Sequence, residues 1–256
     1  MTDIQAFVDG VVDGRLSDSE VEGWMRNVFD NGLSESETVE LTHAMLHSGT
    51  VLEWPEEWKH LVVDKHSTGG IGDKVSLILA PALAACGLKC PMIAGRGLAH
   101  TGGTLDKLES LQGYDVSVTP EQASEMIQTI GCMIGGQTGE IAPADKRMYA
   151  IRDVTGLIAS TPLITGSILS KKAAEGLAAL VMDIKVGRAA FMRTLDDARI
   201  LAESIVSTGN GLGISTRVTL TEMDTPIGFA AGNALEVLES VETLRGSGPA
   251  DLEELV

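Results

Sequence analysis

Basic residues are scarce in this chain: 19 Lys and Arg stand against 36 Asp and Glu, a formal net charge of -17 at pH 7. A nucleic-acid binder needs clustered cations to displace phosphate counterions, and an anionic membrane surface needs them too, so both partners are argued against. Cysteine is scarce as well. Three (Cys86, Cys90, Cys132) in 256 residues cannot form a disulfide scaffold, and the odd count leaves one unpaired, which predicts a reducing, cytoplasmic compartment. Cys86 and Cys90 lack a second Cys or His pair, so no metal site is expected. The longest apolar run, Val75 to Leu88, contains Ser76 and Pro81 and falls short of the roughly 20 residues that cross a bilayer. No basic n-region precedes an apolar stretch at Met1-Thr2-Asp3-Ile4, which predicts no signal peptide. Aromatics are only 4% of residues whereas Gly numbers 29, which suits helices packed closely on a sheet in an α/β class. An anionic substrate would have to be drawn in by a local cluster of cations and N–H groups that reverses the overall field.

The first sixty residues read as helices. Ser17 with Glu20, and Ser34 with Glu37, are spaced as capping boxes, each ahead of apolar residues at helical period. From Leu61 onward short apolar runs alternate with amphipathic segments. Leu61–Val63, Pro91–Ala94, Asp115–Val118, Cys132–Ile134, Leu180–Ile184 and Arg217–Leu220 read as strands. Asp73–Gly87, Thr104–Leu111, Pro120–Ile130, Pro143–Val154, Thr165–Gly176 and Asp196–Ser207 read as helices. That alternation predicts βα units and a mostly parallel sheet. The last residues, from Asp251, begin a helix that stops after one turn and is marginal without a packing partner, so the chain reads as a fragment cut before its natural end.

Three constellations carry chemistry. The segment Asp64-Lys65-His66-Ser67-Thr68-Gly69-Gly70-Ile71-Gly72-Asp73 is expected to form a phosphate-binding loop: its glycines let backbone N–H groups converge and the next helix adds its positive end. Lys65, Ser67 and Thr68 add a charge and hydroxyl donors. The pattern is neither GxxxxGK[ST] nor GxGxxG, so a nucleoside triphosphate or dinucleotide is not indicated. The second loop runs from Gly95 to Glu109, where Thr101-Gly102-Gly103-Thr104 looks like another anion cradle with Thr104 as cap and donor. For Arg96 a structural ion pair stands as the alternative to a ligand contact, and His100 reads as a loop hydrogen bond. The third is Arg152, with Ser167 and Lys171 four residues apart on one face of a helix, where hydroxyl and ammonium could grip one ligand.

These stretches, with Arg152-Asp153-Val154 and Ser167-Ile168-Leu169-Ser170-Lys171-Lys172, resemble the thymidine and pyrimidine-nucleoside phosphorylases in order and separation, from the first helix to Val256. The resemblance implies an α/β fold in which an all-helical domain (residues 1–60 and 143–176) faces a mixed, mostly parallel α/β domain of the nucleoside phosphorylase and phosphoribosyltransferase type (61–142 and 177–256). The family's C-terminal α+β domain is missing, and homodimers form through the helical domain. It implies that Lys65, Ser67, Ser76 and Thr104 hold phosphate while His66, Arg152, Ser167 and Lys171 hold the pyrimidine. The reaction it implies is reversible phosphorolysis, a pyrimidine nucleoside plus inorganic phosphate giving base and pentose 1-phosphate with inversion at C1', without metal or cofactor.

Besides the missing C-terminal domain, one departure stands out. Where the family usually has Ser before Gly-Arg-Gly this chain has Ala94, which removes one phosphate donor worth about 1 kcal/mol. Two residues earlier the family tends to Lys in enzymes accepting uridine and Met in those preferring thymidine, so Met92 implies a preference for 2'-deoxynucleosides. Anthranilate phosphoribosyltransferase shares the fold, but Lys65-His66 and the Gly95–Glu109 loop do not resemble it. A further alternative is a non-catalytic dimerising fragment, for which the 256-residue chain is expected to show little or no phosphorolysis.

Overall fold

Both capping boxes form. Ser17 accepts the Glu20 N–H at the start of α2 (Asp18–Asn31) and Ser34 that of Glu37 at α3 (Glu35–Leu46), each glutamate accepting the serine N–H in return. In the computed structural model, which describes residues 3–97 and 102–256, these helices pack with α1 (Ile4–Val12), α7 (Pro143–Thr155) and α8 (Thr161–Ala174). Ile4, Phe7, Val8 and Val11 fall at the i, i+3, i+4, i+7 spacing of one helix face and bury it against Met25, Leu41, Met45, Met148 and Leu163. Helix α8 is buried from Leu163 almost continuously to Ala174, because it also packs on the sheet through Ile168, Leu169 and Ala173.

The sheet has β1 (Val63–Ser67), β2 (Cys90–Ala94), β3 (Cys132–Gly136), β4 (Ala179–Val186) and β5 (Ser215–Glu222), and every pairing is parallel. Ladders join β1–β4–β5 and β2–β3, and a single bridge, Val62 to Lys89, links the two groups in the order β3-β2-β1-β4-β5. Helices α4 (Val75–Ala85), α6 (Pro120–Thr129) and α9 (Leu195–Gly211) provide crossovers, while α7 and α8 fill the long one between β3 and β4. Strand order reverses at β1, and in such sheets the crevice for ligands opens outside the strand carboxyl ends at that reversal.

Beyond the bridge β1 and β2 part. The Ile93 N–H donates instead to Glu175 Oε1 (2.7 Å), and the Ile93 carbonyl accepts from Lys172 Nζ (2.8 Å), so side chains from α8 and the residue that caps it occupy the seam.

Several expectations change. Leu61 ends a 3-10 turn (Lys59–Leu61), and the strand runs later, so Asp64 to Ser67 are strand and not loop; the β4 ladder carries them to the pair Ser67–Asp183. Asp115–Val118 forms no strand: only the Gly136 N–H to Val116 carbonyl bond (2.8 Å) reaches β3, and Asp115 Oδ1 takes the Ser117 N–H in a local turn. Helix α5 (Thr104–Leu108) is capped by Gly103, which makes Thr104 its first residue and not its cap. Helix α10 (Asn233–Leu244) was not read from the sequence, and the short α11 (Ala250–Leu255) has its partner, since Leu252 is buried with Val75 and Ile78. Among the described residues no helix is long and apolar enough to cross a membrane.

Candidate active site

A strand's period of two puts Lys65 and Ser67 on one face of β1 and His66 on the other. All three line one cleft at the strand's carboxyl end, together with Thr68, Ser76, Met92, Thr104, Arg152, Ser167 and Lys171. These candidates from the sequence therefore border the same space. His100 and Thr101 lie outside the described residues.

On the sheet side, Lys65 is nine-tenths buried, and its ammonium has no hydrogen-bond partner; Asp73 Oδ1 and Asp183 Oδ2 each lie 3.9 Å away. Ser67 Oγ donates to Asp73 Oδ2 (2.5 Å) and accepts the Gly69 N–H (3.0 Å). Thr68 Oγ1 accepts the Lys185 N–H (2.9 Å). Desolvation raises the Asp73 carboxyl, but Lys65, Lys185, the Ser67 hydroxyl and Lys107 together outweigh it and hold Asp73 well below the usual carboxylate range. The cap residue of helix α4, Lys74, makes no side-chain cap; Asp73 Oδ1 instead accepts the Val75 N–H (3.3 Å), and Ser76 follows on the cleft. The loop from Gly95 is braced by Asp106, whose Oδ2 accepts the N–H of Gly97 (2.8 Å) and Gly103 (3.2 Å). A Cβ on Gly103 would collide with the Gly97 nitrogen, so this close approach requires glycine. Arg96 pairs with Asp106 (3.0 Å) and Glu109 (2.7 Å) at the exposed rim.

On the helical side, the Arg152 guanidinium donates to the carbonyls of Leu157 (3.0 Å), Ile158 (2.9 Å) and Leu163 (3.0 Å), which pins the α7–α8 turn. Lys171 Nζ bonds Asp145 Oδ2 (2.5 Å), the Ser167 carbonyl and Ser167 Oγ (3.0 Å). Burial lowers the Lys171 ammonium against the pull of Asp145. His66 is lowered well below the ordinary imidazole value by burial first, then by Lys172, Lys171 and Lys65, with Asp73 opposing; its ring is neutral.

A family profile described as "Glycosyl transferase family, a/b domain" matches residues 59–256. The chain belongs to this family. It is also 52% identical over 254 residues to the thymidine phosphorylases of Mus musculus and Homo sapiens, and 52% identical over 244 residues to that of Agrobacterium fabrum. These alignments cover 95–99% of this chain but 53–56% of those proteins, so the chain spans about half the length of the curated relatives it matches. Among solved structures, anthranilate phosphoribosyltransferase from Thermus thermophilus superposes with a TM-score of 0.64 at 17% identity, covering 97% of this chain and 85% of that one, which shows a shared fold.

For this glycosyl transferase family member the sequence reading missed several cleft residues. Tyr149, one turn before Arg152, lies with its ring 5.9 Å from the Lys171 ammonium, and Gln137, just past β3, has a buried amide oxygen without a partner. Ile158, Ile164, Phe191 and Met192 supply apolar wall. Asp145 and Asp183 act behind the wall, on Lys171 and Lys65. A charge inside an otherwise apolar strand, as at Asp183 and Lys185, is the signal that could have revealed the second pair.

Proposed function

We propose that this cleft is the substrate site of a pyrimidine nucleoside phosphorylase: thymidine plus phosphate gives thymine and 2-deoxyribose 1-phosphate. One observation carries the reading. Lys65 is a buried ammonium without a hydrogen bond at the carboxyl end of β1, 3.9 Å from the Asp73 and Asp183 carboxylates and flanked by hydroxyls, and it lines the same cleft as the Ser167–Lys171 pair. Its N–H donors are unused, so an anion that reaches them gains charge-assisted hydrogen bonds.

In this reading Lys65, Ser67, Thr68, Ser76 and Thr104 hold phosphate, and one of its unprotonated oxygens attacks C1' of the sugar. The C1'–N1 bond breaks, its electron pair leaves with the pyrimidine, and the configuration at C1' inverts. Arg152, Lys171 and the Ser167 hydroxyl stabilise the negative charge that develops on the base, and His66 contributes a neutral N–H donor. The reactants are held in line, so no covalent protein intermediate is needed. Ser67 must turn its proton from Asp73 to phosphate when the anion arrives. Met92, buried in the cleft wall where a lysine would bring a charge, supports a preference for 2'-deoxynucleosides. A homodimer through the helical side, in the cytoplasm, belongs to the same reading, in keeping with three free cysteines.

The deciding assay follows base release from thymidine, deoxyuridine and uridine, with and without orthophosphate, on this chain and on a version extended past Val256. Orthophosphate-dependent thymine release by either supports the reading. Release without orthophosphate, or anthranilate consumption with phosphoribosyl pyrophosphate in its place, overturns it. Equal turnover of uridine and thymidine would remove the role given to Met92.

A further inference from the structure

The seam between β1 and β2 holds a group of charges that the reaction above does not use. Lys172 is completely buried and bonds Asp64 Oδ2 from β1, the Ile93 carbonyl from β2 (2.8 Å) and Glu175 Oε1 at the end of α8 (2.6 Å). Asp64 Oδ1 also accepts the Lys65 N–H (2.7 Å) and lies 3.5 Å from Cys90 Sγ, a donor on β2. The end of α8 is gripped from its other side too, the Leu52 N–H donating to the Ala174 carbonyl (2.8 Å) and Trp54 Nε1 to the Glu175 carbonyl (2.7 Å).

Each segment joined here carries cleft residues beside the joined one. Asp64 directly precedes Lys65-His66-Ser67, Ile93 lies between Met92 and Ala94, and Lys172 follows Lys171. We propose that Lys172 is a positioning residue: its ammonium locks α8 to β1 and β2 and so fixes the spacing between the helical and sheet walls of the cleft. The inference rests on the phosphorolysis reading and deepens it. For the fold alone, an apolar filling of this seam would serve as well or better, since buried ion pairs rarely add net stability. What an ionic seam adds is direction, because three acceptors on three segments admit one placement of the ammonium.

Burial first, then the adjacent Asp64, push Glu175 well above the usual carboxylate range, with Lys172 opposing. The groups facing His66 are Lys172, Lys171, Lys65 and Asp73, and Lys172 contributes the largest of the charge effects that keep the ring neutral.

The test compares the 256-residue chain with the paired variant Lys172→Met/Asp64→Asn, which removes both charges together so that neither is left buried alone. Orthophosphate affinity, and thymine affinity in the presence of orthophosphate, are read by calorimetry. The paired variant is expected to fold, to keep its orthophosphate affinity, and to lose about tenfold or more in thymine affinity, as ångström-scale misplacement of the opposite wall does. A folded pair with unchanged thymine affinity overturns the inference, and so does an equal loss for both ligands, which a merely structural lysine would give. Should the pair not fold, Lys172→Arg keeps the charge and alters its placement; weaker thymine binding supports the proposal and unchanged binding overturns it. If the parent chain itself binds neither ligand, the phosphorolysis reading falls with this one. If parent and variant bind thymine equally, this inference alone falls.

Discussion

The two walls of the cleft treat their cations in opposite ways. On the helical wall every donor reported for Arg152 and Lys171 is bound to protein: three carbonyls for the first, and Asp145 with two Ser167 oxygens for the second. On the sheet wall Lys65 has no hydrogen bond, only two carboxylates 3.9 Å away. The ligand assigned to each wall explains the contrast. A neutral pyrimidine binds weakly and gains charge only as its bond to the sugar breaks, so its donors must be held in place beforehand by the protein. Phosphate arrives charged and can complete a site that is left open.

The comparison predicts that substitutions on the helical wall cost stability first, whereas those on the sheet wall cost phosphate binding first. Arg152→Met should have the largest effect, about 3 kcal/mol of unfolding free energy in a denaturant titration, because three buried carbonyls lose their donor at roughly 1 kcal/mol each. A variant as stable as the parent would break the contrast. Lys65→Met should come next, weakening phosphate binding by about 2 kcal/mol, or roughly thirtyfold, the worth of one charge-assisted hydrogen bond. Its stability should change less than that of Arg152→Met, since Asp73 keeps Ser67 and Asp183 keeps Thr221 and Lys185. Calorimetry with orthophosphate beside the same denaturant titration separates the two.

What the sequence made legible follows the same division. Local rules found the capping boxes, most helices and the parallel alternation, because those signals lie within a few residues. The cleft's principal side chains were found by composition and motif, since Lys, His and hydroxyls beside paired glycines have few other uses. What stayed hidden depends on pairing across the fold. Asp64 to Ser67 read as loop in the sequence because only β4, more than a hundred residues on, extends β1 that far. Helix α10 was passed over although it holds two buried ion pairs, Lys74–Glu239 and Lys107–Glu236, which bind it to the start of α4 and to α5. Asp145 and Lys172 are ordinary charges in sequence and become partners only once α7, α8 and the strands meet.

A smaller change sharpens the sheet wall. Ala94 lies at the carboxyl end of β2 on the cleft, so Ala94→Ser should place a hydroxyl toward the phosphate position and raise phosphate affinity by about 1 kcal/mol with stability unchanged. No gain in calorimetry would mean that this position does not reach the anion.

Acidification should separate the walls with the smallest effect of all. The His66 ring is neutral in the folded chain, held below its ordinary value of 6.5, while in the unfolded chain it takes up a proton as pH falls through that value. The unfolded state then binds more protons, so stability declines as pH drops below about 6.5 and is independent of this group above it. Asp73 works in a separate window. Its carboxyl is depressed from 3.8, so the stability it contributes is complete above that value and is lost only at lower pH, as the folded carboxyl protonates. Unfolding free energies of the parent and a His66→Gln variant, measured between about pH 7 and 5, should differ in slope. The parent should lose stability across that range and the variant should lose less. Equal slopes would show that His66 carries its proton in the folded chain, and the neutral donor assigned to it would have to become a cation.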